Sequence, residues 1–259
     1  MDPVIFPSGS GSRPGDREVP GDLRRPGRHA PVLVSPRSRK VYYRFGQRVG
    51  KARGVLMEKN VYLFVCNELA DWEPALAVAM ISDRYKAIPR KHAFRIVTFG
   101  LTKDPVTTFG GLTIVPDTTA DAVDPKTAAM VILPGSSIYE KNDPVRLVPL
   151  VRACVEKKVP VAAICGGTLF LAKHGFLDSV RHTSAGPGWL AAHAPAYRGK
   201  DRYVQAPCVA DNGIITANPL GFVEFAYEIL KTLDVYEPAL LEFWLSAVKK
   251  GYLDADSMG

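Results

Sequence analysis

The chain has 259 residues, 47% hydrophobic and 23% charged, which suits a globular protein with a substantial core. Its formal charge of +7 invites a nucleic-acid partner, but residues 1–56 hold twelve Lys/Arg against four Asp/Glu, so the rest is nearly neutral. A patch that tracks phosphates belongs on the folded face, so nucleic acid is excluded, and no apolar run approaches the roughly 18–20 residues that cross a bilayer.

Residues 1–56 contain seven prolines and eight glycines with little hydrophobic periodicity, a composition that predicts disorder. Within it "KVYYRF" (Lys40 to Phe45) is offered as an accessory strand. The segment lacks the apolar stretch of a secretory signal, and Asp16, Glu18, Asp22 and the prolines argue against a transit peptide. Met57 is therefore expected to start the working protein, with residues 57–259 forming one α/β domain.

From Val61 the pattern alternates. "VYLFVC" reads as a buried strand, "EPALAVAMISDRY" as a helix and "FRIVTFG" as a second strand. "LTIVPD" is a short extended piece after "TTFGG", and "AAMVILPG" a strand ending in Pro-Gly. "DPVRLVPLVRACVEKK" predicts a helix with Asp143 as N-cap and Pro144 at its first position. "VPVAAIC" is the next strand, and "GTLFLAKHG" a helix stopped by Gly175. "YVQAPCVADNGIITA" predicts a hairpin turning at Asp211-Asn212-Gly213, and two helices close the chain. The segment around Trp189 is expected to shape a pocket entrance. Continuous apolar strands between amphipathic helices imply a mainly parallel sheet covered on both faces. Ligands of such folds sit beyond the carboxyl ends of the strands.

The four cysteines, Cys66, Cys154, Cys165 and Cys208, are scattered without a Cys-x-x-Cys pair. That pattern suits reduced thiols and a cytoplasmic setting. Cys165 differs from the others because it stands between a strand and a helix, followed by Gly166 and Gly167. A strand that breaks sharply into a helix can hold its turn residue with the side chain in a crevice. The helix N-terminus then offers unpaired N–H groups that lower a thiol pKa and can hold an oxyanion. Plain packing of a buried thiol is the competing reading. Glu73, between a strand and a helix, could project into the same crevice, where burial would raise its pKa. Otherwise it is a carboxylate stabilised by a helix dipole. His182 as a base would need hydrogen-bond reach to Cys165. His174 and His193 read as helix-end histidines, and His92 as part of a basic loop.

"ADWEPALAV", "VILPGS" and "AAICGGTLFLAKHGFLDSVRHTS", in this order and spacing, resemble the ThiJ/PfpI superfamily within the class I glutamine amidotransferase-like fold. The resemblance covers roughly Val61 to Val235. It implies a flavodoxin-like three-layer sandwich with a cysteine nucleophile elbow at a strand's carboxyl end. It also implies Cys165 as nucleophile, Glu73 as the carboxylate against its sulfur, and backbone N–H groups of Gly166 and Ser136 as oxyanion donors. His182 lies close to where many members supply a histidine. Ser136 stands where a second glycine is more usual.

Glutamine-hydrolysing members complete a triad with a late His-x-Glu pair. No histidine follows His193 here, so a true glutaminase is not expected. No metal-ligand spacing, phosphate loop or dinucleotide fingerprint is present, so neither metal nor cofactor is expected. The expected function is a cysteine-dependent enzyme on a small carbonyl or amide substrate, of glyoxalase, deglycase, amidase or peptidase type. The alternative is a stress-response or redox sensor working through oxidation of Cys165. A homodimer is left open.

Overall fold

The computed structural model describes residues 59–82 and 88–252. The expectations about residues 1–56, the "KVYYRF" strand and the start at Met57 lie outside the described residues.

The first strand, β1 (Asn60–Phe64), is followed by helix α1 (Trp72–Ser82) and strand β2 (Arg95–Gly100). A two-residue hairpin, β3 (Val106–Thr107) and β4 (Thr113–Ile114), precedes the short β5 (Thr118–Thr119). Then come β6 (Ala128–Leu133), α2 (Ile138–Lys141), α3 (Val148–Glu156), β7 (Val161–Ile164) and α4 (Gly166–Lys173). The chain continues with α5 (Pro187–His193), β8 (Cys208–Asp211), β9 (Ile214–Ala217), α6 (Phe222–Thr232) and α7 (Pro238–Lys250).

The main sheet runs β5-β2-β1-β6-β7-β9-β8, parallel throughout except for the β8–β9 hairpin. Without the edge strands β5 and β8, the order is that of a flavodoxin-like doubly wound sheet, second-first-third-fourth-fifth. Strands β7 and β9 are buried at every residue and β1 at all but its first. Successive side chains point to opposite faces, so both faces are covered. The aromatic core includes Phe64 against Phe99 (ring centroids 5.4 Å) and Tyr139 against Phe170 (6.1 Å).

Asn212 and Gly213 both take positive φ, 46° and 79°, giving the turn sense that two-residue hairpins favour and confirming the Asn-Gly reading. The helix expected from Asp143 starts later. Residues Val145–Leu147 form a 3-10 turn, and α3 begins at Val148 with Pro149 in its first turn. Pro149 supplies no N–H, which the first turn of a helix does not need, so it suits the point where the helix restarts. Asp143 faces His174 instead of capping, with Oδ2 3.0 Å from Nε2. The Trp189 segment folds as α5, which packs on α4 with the Trp189 ring against His193.

Among the described residues no helix is long and apolar enough to cross a membrane.

Candidate active site

Three adjacent parallel strands, β1, β6 and β7, deliver their carboxyl ends side by side, and the order in which strands are added to the sheet reverses between β1 and β6. That reversal is the switch point where doubly wound sheets bind ligands. The loop after β1 leads to Glu73, the turn after β6 carries Gly135 and Ser136, and β7 runs into Cys165.

Cys165 adopts φ +52°, ψ −121° between β7 and α4. This conformation is reached easily only by glycine and costs a side-chain-bearing residue about 1–3 kcal/mol. It persists because the neighbours determine it. The Cys165 N–H still makes a ladder bond to Ala217 O at 3.1 Å, while its carbonyl already accepts from Thr168 N at 3.0 Å as the helix begins. A Cβ on Gly166 would lie 2.6 Å from Ser136 O, and one on Gly167 2.3 Å from Leu133 O. Both glycines are required by close backbone approach, as the sequence suggested.

Glu73, in the first turn of α1, is 1% exposed. Its Oε2 accepts the Gly135 N–H at 2.5 Å, and its buried Oε1 has no hydrogen-bond partner. The carboxyl lies against the Cys165 side chain. A Cβ built on Gly135 would fall 2.5 Å from Glu73 Oε2 and 2.9 Å from Cys165 Cβ, so the three residues share one space. Burial pushes the Glu73 carboxyl up to about 7, against the opposing pull of the Gly135 N–H and the Cys165 thiol.

Burial, then the negative charge of Glu73, pushes the Cys165 thiol up to about 12, and the Gly166 N–H facing the sulfur works in the opposite direction. This reverses the expectation from the helix N-terminus alone. The dipole is there, but desolvation and an adjacent carboxylate outweigh it. The two groups titrate as a pair, because a proton on Glu73 removes the repulsion that holds the proton on sulfur.

Ser136 keeps its backbone next to the elbow, with its nitrogen 3.1 Å from where a Gly166 Cβ would stand. Its side chain turns away. Oγ donates to Asn67 O at 2.7 Å and accepts the Ile138 N–H at 3.1 Å. Serine in place of the more usual glycine therefore ties the turn to the β1 loop.

His182 is not brought into this group. Its ring is fully buried, with Nδ1 2.8 Å from Val180 O and Nε2 bonded to the Tyr197 hydroxyl. Both nitrogens are engaged away from Cys165, and burial lowers the ring's pKa. The segment "RHTS" reaches the elbow through Ser184 instead. Ser184 Oγ is 2.6 Å from Thr168 Oγ1, which is 2.6 Å from Cys165 O. Sequence reasoning passed over Thr168, Ser184 and the Gly135 donor. A hydroxyl three residues after the elbow cysteine was the available signal for Thr168.

The β3–β4 hairpin clasps the loop that leads to Glu73. Thr107 N donates to Asn67 Oδ1 (2.9 Å), Glu68 N to Thr107 O (2.8 Å), Phe109 N to Leu69 O (2.8 Å) and Gly110 N to Asp71 Oδ2 (2.6 Å). The exposed Trp72 and Phe109 rings meet edge to face at 5.7 Å on the same clasp.

Among the described residues no group of three or more His, Cys, Asp or Glu could hold a metal ion.

Residues 59–232 match the DJ-1/PfpI family. The chain is 33% identical over 189 residues to YoaZ of Bacillus subtilis, named an uncharacterized protease, covering 73% of this chain and 90% of that one. A ThiJ/PfpI family protein from Bacillus anthracis, solved by crystallography, superposes with a TM-score of 0.69 at 30% identity, covering 76% of this chain and 93% of that one. A DJ-1 superfamily protein from Agrobacterium tumefaciens gives 0.66 at 33% identity, covering 74% and 99%. With its parallel sheet and the match across residues 59–232, the chain belongs to the DJ-1/PfpI family.

Proposed function

We propose that this protein is a cysteine-dependent enzyme that attacks small reactive carbonyl compounds, with Cys165 as nucleophile and Glu73 as the group that carries the proton. The observation behind this reading is the shared pocket of Cys165 and Glu73, in which one buried carboxyl oxygen has no hydrogen-bond partner.

In the first step the Glu73 carboxylate takes the Cys165 thiol proton as the sulfur adds to an aldehyde carbon. The carbonyl π electrons become an oxyanion, held by the N–H groups of Gly166 and Ser136, and Glu73 delivers its proton to give a hemithioacetal. For a 2-oxoaldehyde, the Glu73 carboxylate then removes the carbon-bound proton, the electrons shift to the adjacent carbonyl, and reprotonation at that carbon gives a 2-hydroxy thioester. Water hydrolyses the thioester, releasing a 2-hydroxy acid and the thiol. A carboxyl held near neutrality suits both the acid and the base step.

Amide or peptide hydrolysis would use His182 as the base on Cys165. Because the ring nitrogens of His182 are engaged by Val180 and Tyr197, the carbonyl reading fits this geometry better. The word protease in the name of the Bacillus subtilis relative YoaZ favours attack at a carbonyl in general.

Purified protein given methylglyoxal should form lactate, and Cys165→Ser should reduce the rate by at least about a thousandfold. Equal rates from both proteins would reject Cys165 as nucleophile. No product from the wild type, together with selective peroxide oxidation of Cys165 to sulfinic acid, would transfer the site to the sensing role.

A further inference from the structure

The peptide unit joining Cys165 to Gly166 is a rigid plane with its C=O and N–H pointing in opposite directions. Whatever anchors the Cys165 carbonyl therefore aims the Gly166 N–H. That carbonyl is held twice by one residue, by the Thr168 N–H at 3.0 Å and by the Thr168 hydroxyl at 2.6 Å. Thr168 has a single hydroxyl proton and spends it there, so the Ser184 hydroxyl, 2.6 Å away, must be the donor to Thr168. Both side chains are buried, at 0% and 1% exposure, so water offers no substitute.

Ser184 is itself fixed. Its carbonyl accepts from the Tyr203 hydroxyl at 3.2 Å, and the preceding Thr183 ties to β9 and to the 203–207 loop through Thr216 Oγ1 and Ala206 O, both at 2.9 Å. A hydroxyl relay thus runs from a buried strip beside β9 to the strained peptide of the elbow.

We propose that Thr168 and Ser184 are positioning residues for the Cys165 reaction: their paired hydroxyls lock the Cys165–Gly166 peptide so that the Gly166 N–H points at the sulfur and at the oxyanion formed there. This rests on the reading of Cys165 as nucleophile. Neither hydroxyl touches the substrate. The relay gives a role to the "RHTS" segment that its histidine does not fill.

The test compares wild type, Thr168→Val, Thr168→Ser and Ser184→Ala by two measurements. The first is the rate of Cys165 alkylation by iodoacetamide across pH, located by peptide mass spectrometry. Thr168→Val should slow alkylation at pH 7 by about tenfold, the worth of one lost hydrogen bond, with the apparent thiol pKa displaced upward. Thr168→Ser should restore the rate to within about twofold, and Ser184→Ala should fall between, at about threefold. The second is the amide proton shift of Gly166 by NMR, which reads the aim of the peptide whether or not the thiol reacts. It should move in Thr168→Val and Ser184→Ala and return in Thr168→Ser.

Wild-type profiles and an unmoved Gly166 resonance in both hydroxyl-deleting variants would overturn the proposal. Should Thr168→Val fail to fold, Ser184→Ala carries the same two expectations. If Cys165 of the wild type does not alkylate at all, the proposed function falls, while the Gly166 shift still decides whether the relay aims the peptide.

Discussion

Glu73→Gln is expected to lose turnover by about 10²–10⁴-fold, the usual contribution of a positioned acid or base, and to make the protein more stable above pH 7. The two effects share one cause. Burial holds the carboxyl at about 7 in the folded chain, against 4.5 for an ordinary glutamate. The unfolded chain releases this proton more readily, so ionisation favours unfolding. The contribution of Glu73 to stability is thus fully present below pH 4.5 and lost as pH rises through 7, a swing of about 3 kcal/mol. Glutamine keeps an oxygen for the Gly135 N–H but cannot ionise, so the variant escapes the loss. Melting temperatures at pH 5 and pH 8, with kcat at pH 7, check this. A stability gain of equal size at both pH values, or unchanged kcat, would remove Glu73 from the role assigned to it. The wild-type residue is, on this argument, kept at the expense of stability for its chemistry.

Gly135→Ala carries the second large effect. The new methyl would meet Glu73 Oε2 at 2.5 Å and Cys165 Cβ and Glu73 Oε1 at 2.9 Å. Neither partner is a loose chain end, since one is the carboxyl of a buried side chain and the other is fixed to the strained elbow. Overpacking of this kind costs about 1–3 kcal/mol, and a displacement of about 1 Å between reacting groups can lower turnover about a hundredfold. Gly213→Ala is the control. Its φ of +79° makes alanine unfavourable, but a Cβ there meets nothing within 4 Å. It should lose about 1 kcal/mol with kcat intact. If the two variants match in both stability and kcat, the packing of Gly135 against the pair has no catalytic meaning.

The features legible in the sequence were those fixed by local chemistry. The runs around Val61 to Phe64 and Val161 to Ile164 could only be strands buried on both faces, and Asn212-Gly213 could only be a tight turn. Gly166 and Gly167 announced a crowded elbow at Cys165. The hidden features depend on partners distant in sequence. Asp143 has the form of a helix cap, yet its carboxylate is taken by His174, thirty-one residues on. His182 has the right chemistry for a base, but Tyr197 and Val180 claim its ring. The direction of the Cys165 pKa was missed for the same reason. A helix N-terminus can be read from a string of residues, whereas the burial that opposes it belongs to the assembled core.

The hairpin at residues 106–114 has a bearing on how the molecule would age. Its tip, Gly110-Gly111, is exposed, and four hydrogen bonds from the hairpin and its partner loop hold the path to Glu73 in place. The seven-stranded sheet makes no use of β3 or β4. A single protease nick at that tip would leave the sheet's ladder whole and slacken the lead-in to the carboxyl. Such a molecule would still pass as folded by its melting curve after its chemistry had gone.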